Sequence, residues 1–166
     1  MTKILSSLFI FLASSVALAY PAIGDFSVMQ GTYTKAGKTS ALTIEQKIVD
    51  YNAGLLEFTV VESQDVDGQV STASATVPRK NLISQGQAQY LLLNCAAYGG
   101  SPETITVAAG TFKTCAMLIN DSVHDGMTWV GDVEFGVVKK VIRAKQNAYS
   151  IRLELQKFGR AATNNN

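Results

Sequence analysis

The chain has 166 residues, 14 of them basic and 13 acidic, with a single histidine, two cysteines and a hydrophobic fraction of 47%. That composition excludes a disordered chain, and the near-neutral charge supplies no general electrostatic pull toward nucleic acid.

The first residues, MTKILSSLFIFLASSVALA, place Lys3 before an apolar run broken only by serines and end on Ala17-Leu18-Ala19. Charge, apolar stretch and small-x-small ending form the pattern of a secretory signal peptide, residues 1–19, with cleavage before Tyr20. The apolar run is shorter than the ~20 residues a membrane-spanning helix needs. No cysteine follows the cleavage site to take a lipid, and no later segment reads as a membrane span. The exported remainder is 147 residues (166 minus 19), read as one β-rich domain over 20–160 and a disordered tail over 161–166. Its expected location is the periplasm rather than the medium. Loss of Lys3 leaves 13 basic against 13 acidic residues. From residue 137 onward, Lys139, Lys140, Arg143, Lys145, Arg152, Lys157 and Arg160 face Glu154 alone, so the C-terminal strands are basic.

Period-two alternation dominates the exported chain. Strands are expected at 26–34, at 40–51 with Leu42, Ile44 and Ile48 on one face, and at 55–62 with Leu56, Phe58 and Val60 on one face. Asp67-Gly68 is a two-residue hairpin turn, because both positions favour positive φ, and it leads into a strand over 69–77 that Pro78 ends. The acidic pair Asp65 and Asp67 sits on that tip without the further ligands a calcium loop needs.

After Asn81 the period changes. Ala88, Leu91, Leu92, Cys95 and Ala96 fall at helical spacing, Ser84 can cap the start, and Gly99-Gly100 can release the chain. Strands are then expected at 104–108 and 111–120, joined near Ala109-Gly110, at 127–130, at 137–145, and at 149–158. The last alternates Tyr149, Ile151, Leu153 and Leu155 inward with Ser150, Arg152, Glu154 and Gln156 outward. The expected fold is mainly β (α+β): a strongly curved antiparallel sheet or half-barrel of about eight strands, with one helix on its concave side.

Two cysteines in an exported chain predict a disulfide between Cys95, on the helix, and Cys115, on the strand after the hairpin. A loop of that size stabilises the fold by about 3 kcal/mol in the chain-entropy model. There is no C-x-x-C arrangement to suggest redox chemistry. Asn94-Cys95 with Gly99-Gly100, then ETITVAAGTFKTC, then TWVGDVEFGVVK, resemble a bacterial family of exported proteins of unknown function that carries V-P-A-G-T-F and a later W…P-x-G-V-V-K. The resemblance covers residues 94–139. Ala108 and Glu134 stand where family members often have proline, which loosens two turns and removes no chemical group. More distantly, the family is similar to lipoprotein-carrier half-barrels of the bacterial envelope, which implies an apolar concavity beneath a helix.

Catalytic signatures are poorly represented. His124 lies between Asp121 and Asp125 in a turn, no G-x-S-x-G elbow exists, and no glycine loop cradles phosphate ahead of a helix. The expectation is a non-enzymatic protein with no catalytic residues, metal or cofactor. It would bind a lipid-like or other apolar ligand lined by Leu56, Phe58, Val60, Leu92, Met117 and Trp129. The alternative is an envelope interaction protein acting through an edge strand or through the basic C-terminal strands.

Overall fold

Alternating side chains and short turns, two of them of two residues and one of four, carry the first part of the chain through a four-stranded meander. In the computed structural model, which describes residues 21–146 and 148–159, these strands are β1 (Phe26–Lys35), β2 (Lys38–Asn52), β3 (Glu57–Val66) and β4 (Gln69–Pro78). The expected leader and tail lie outside the described residues. After β4 come a 3₁₀ turn (Arg79–Asn81), helix α1 (Gln85–Leu93) and a second 3₁₀ turn (Cys95–Tyr98). Five strands follow: β5 (Ser101–Val107), β6 (Gly110–Asn120), β7 (His124–Gly131), β8 (Val137–Ala144) and β9 (Tyr149–Gly159).

All nine strands form one antiparallel sheet in the order β4-β3-β2-β1-β9-β8-β7-β6-β5. The first and last strands therefore meet in its middle, with Gly31 opposite Leu153 and Met29 opposite Leu155. The sheet stays open, edged by β4 and β5. Register shifts at Val28/Met29, Ile48/Asp50 and Trp129/Val130 are bulges of the kind that bend a sheet. The bend brings the tip of the β5–β6 hairpin onto β9, where Ala109 N donates to Leu155 O at 3.2 Å. The main core follows from that curl. Met29, Leu42, Val138, Leu153 and Leu155 of the central strands pack with Val107 from the hairpin and Val133 from the β7–β8 loop.

Ser84 starts α1 through a reciprocal capping box. Gln87 N donates to Ser84 Oγ at 3.2 Å, and Ser84 N donates to Gln87 Oε1 at 2.8 Å. Gly99, at φ 75°, ends the following 3₁₀ turn in the left-handed region. The helix lies against β6 and β7, with Ala88 its buried residue, and Cys95, expected on the helix, is buried in the 3₁₀ turn that follows it. Cys95 and Cys115 form the disulfide, with Cα atoms 5.5 Å apart, and Gln89 Nε2 adds a hydrogen bond to Asp132 Oδ2 at 3.0 Å.

Candidate functional site

The segment joining β4 to α1 builds the site. Leaving Pro78, the 3₁₀ turn lowers Leu82 onto Ile48, Phe58 and Val60, where all four are buried in a second core cluster. Ile83 packs beside Gly136, where an added Cβ would lie 2.6 Å from Ile83 Cγ2. With the segment anchored at these two points, α1 departs from Ser84. An open groove of about 700 Å³ remains, bounded by Lys80–Ser84 on one side and by Gly86, Gln87, Tyr90, Leu91 and Tyr98 on the other. Leu82, Ile83 and Leu91 supply apolar surface, and Gly86 borders the groove without a side chain. Tyr90 and Tyr98 meet edge-on with ring centroids 6.2 Å apart. Lys80 is the one charged residue among the described residues of the lining. Tyr90 is 58% exposed and Leu93 85%, so α1 shows apolar surface to solvent as well as to the sheet.

Of the residues expected to line a ligand site, Phe58 and Val60 come together, but in the filled cluster closed by Leu82. Leu92 and Met117 are half-buried. Met117 shares a strand face with Cys115, the face that meets the helix. Trp129 is paired with Ala116 and therefore points to the opposite face, where its Nε1 donates to Glu103 Oε2 at 2.8 Å and Lys139 Nζ lies 5.5 Å from its ring centre. Leu56 precedes β3 in the turn, at φ 54°, and joins Leu55, Pro78, Arg79 and Lys80 around a separate open groove of about 540 Å³. None of the six is among the residues bounding the groove beside α1. Tyr90, Leu82 and Ile83 were not anticipated as groove residues. For Tyr90 the signal is the run Tyr90-Leu91-Leu92-Leu93, which is apolar around the last turn of the helix and not along one stripe.

His124, at the start of β7, is held by its surroundings. Its Nε2 and the Tyr149 hydroxyl lie 2.5 Å apart, and its Nδ1 lies 3.5 Å from Asp121 Oδ2. Asp121 Oδ1 accepts from the backbone N–H of both Val123 and His124 at 2.7 Å, and these bonds, with His124 itself, hold its carboxyl below the ordinary range. The arrangement locks a turn. Among the described residues, no group of three or more His, Cys, Asp or Glu side chains is placed to hold a metal ion.

Much of the basic C-terminal charge is engaged within the fold. Lys139 Nζ pairs with Glu154 at 2.8 Å, Arg143 Nη2 with Asp125 at 3.0 Å, and Lys145 Nζ donates to Asn120 at 2.9 Å. Asp125 is held below its ordinary value by the hydrogen bond from Arg143, and Asp67 by hydrogen bonds from Ser40 and the backbone of Ala41. All three carboxyls bind a proton less readily folded than unfolded. Their contribution is therefore present above the unfolded carboxylate value and is lost as pH falls through the lower folded one. The melting temperature is expected to hold from neutral pH to about pH 4, then drop. The drop should be shallower in the Asp121→Asn, Asp125→Asn double variant; an acid limb identical to the wild type's, read by calorimetry, would refute the assignment.

Neither a family model nor a curated protein matches the sequence. Two solved structures are similar to it in part. One is a protein from Bacteroides fragilis described as exported, with a YmcC-like fold: 14% identity, 84% of this chain and 97% of that one covered, TM-score 0.43. The other is MucB: 13% identity, 84% of this chain covered, TM-score 0.36. The chain spans about half of MucB, 54% of its length. Among the described residues, no helix is long and apolar enough to cross a membrane.

Proposed function

We propose that this is an exported, non-enzymatic envelope protein that binds a single-chain anionic amphiphile in the groove beside α1. The observation that carries the reading is the groove itself, about 700 Å³ with a largely apolar lining and Lys80 as its one charged lining residue. Its size and its few polar groups suit a small amphipathic molecule. The hydrocarbon would lie along Leu82, Ile83, Leu91 and Tyr90, and the ammonium of Lys80 would meet the head group.

Palmitate and its neutral analogue hexadecanol serve as probes, with binding read by native mass spectrometry and titration calorimetry. Gly86→Phe, which fills the groove, is expected to weaken both about tenfold or more, equivalent to about 1.4 kcal/mol. Lys80→Glu should weaken palmitate and spare hexadecanol. Absence of bound palmitate, or binding indifferent to both substitutions, would remove the proposal.

A further inference from the structure

An open sheet leaves two edges, and the two edges here differ in kind. β5 is seven residues long, contains Pro102, which lacks a donor, and the charged Glu103, and its hairpin tip is tied to β9 through Ala109. These are the devices by which natural sheets blunt an edge. β4 has none of them. Its ten residues, QVSTASATVP, carry no charge and no proline before the last position, and the first eight are exposed. The Asp67-Gly68 turn makes Val66 and Gln69 a hydrogen-bonded pair, so alternate peptide groups from Gln69 onward face β3. The N–H and C=O groups of Val70, Thr72, Ser74 and Thr76 then point outward, on the side where no described strand lies.

We propose that β4 pairs with β4 of a second copy of this chain, antiparallel about a two-fold axis at Ala73. In that register Val70 meets Thr76, Ser71 meets Ala75, Thr72 meets Ser74, and Ala73 meets its own equivalent. Opposed residues share a face, as a continuous antiparallel sheet requires, and the outward peptide groups of residues 70 and 76, and of 72 and 74, exchange hydrogen bonds. The side chains agree with the backbone. Alanine sits at the axis, where identical residues must face each other, Thr72 and Ser74 can exchange a hydroxyl hydrogen bond, and Val70 and Thr76 form β-branched pairs at the ends. No like charges meet. Moving the axis to Ser74 would set Val70 against Pro78 and forfeit a donor. A second copy is the occupant because the strand complements its own reverse, while its lack of charge gives a charged partner strand nothing to select. The pairing involves β4 alone and stands independently of the groove.

The test uses the chain from residue 20 onward. Sedimentation equilibrium is expected to show a concentration-dependent monomer–dimer exchange. Ala73→Lys places two ammonium groups directly opposite and should weaken dimerisation at least about tenfold. Ala73→Cys brings the two sulfurs together in a non-hydrogen-bonded pair with Cα atoms about 4.5 Å apart, within bridging range, and should give a covalent dimer on mild oxidation. Ser71→Cys, whose opposite number is Ala75, should not. Peptide mapping verifies that Cys95–Cys115 stays intact in both cysteine variants. A chain that is monomeric at every concentration, a dimer unaffected by Ala73→Lys, or equal cross-linking at positions 71 and 73 would overturn the proposal. So would a different polypeptide strand occupying β4 in place of the second copy.

Discussion

Replacing Gly31 with alanine should destabilise the protein by about 3 kcal/mol or more, lowering its melting temperature by roughly 10 °C. Gly31 sits opposite Leu153 in the β1–β9 pair, and a Cβ added there would lie 1.8 Å from the carbonyl oxygen of Arg152. That oxygen belongs to the backbone of a central strand, so no side chain can swing aside to make room. The strands themselves would have to part, and this pairing is what joins the β1–β4 half of the sheet to the β5–β9 half. Gly37 is the control. It lies in a turn at φ 78° with nothing within 4 Å of an added Cβ, so Gly37→Ala bears only the left-handed backbone cost of roughly 1–2 kcal/mol. Urea unfolding of both variants decides the matter; equal shifts in midpoint would rule out the close approach at Gly31.

Cleaving the disulfide should cost about 3 kcal/mol, since Cys95 and Cys115 are 20 residues apart in sequence. The effect should be uneven across the molecule. Within α1 only Ala88 is buried, so the helix has little else to hold it against β6 and β7. In the Cys95→Ala, Cys115→Ala double variant, amides of residues 85–98 should exchange much faster while those of β1, β8 and β9 keep most of their protection. Uniform loss across helix and sheet, or no loss at all, would contradict this division. Gly100 offers an independent probe of the same junction, because a Cβ there would fall 2.5 Å from Cys115 Sγ and 2.8 Å from Cys95 Sγ.

The elements themselves were legible because each is a local pattern. Alternation and turn residues together marked the strand positions, Asp67-Gly68 turned where expected, Ser84 capped the helix, and the two cysteines found each other, although β7 begins at His124 and not at 127. Boundaries moved where turn chemistry was less explicit. Leu55 and Leu56 read as strand, yet Leu56 adopts φ 54° and β3 begins at Glu57. Strand order was not legible: nothing in the alternation of residues 26–35 or 149–159 says that these two segments are neighbours. The surroundings of the expected lining residues were less legible for a related reason. Phe58 and Val60 face inward as their spacing demands, but spacing does not say what lies against them, and Leu82, from a segment with no periodicity, fills that space. Similarly, Trp129 lies on the face opposite Met117, because a partner's register, absent from the sequence pattern, decides which strand faces align.

The seam between β1 and β9 also bears on how the molecule can be made. Phe26 is matched with Gly159, nearly the full length of the domain away. A chain delivered N-terminus first can assemble the β1–β4 meander early, but its inner flank stays unpaired until the final eleven-residue strand emerges. Contacts this distant in sequence slow folding, because loop closure precedes their reward. Completion of the sheet is thereby deferred until β9, the last strand in the sequence, is free to enter between β1 and β8.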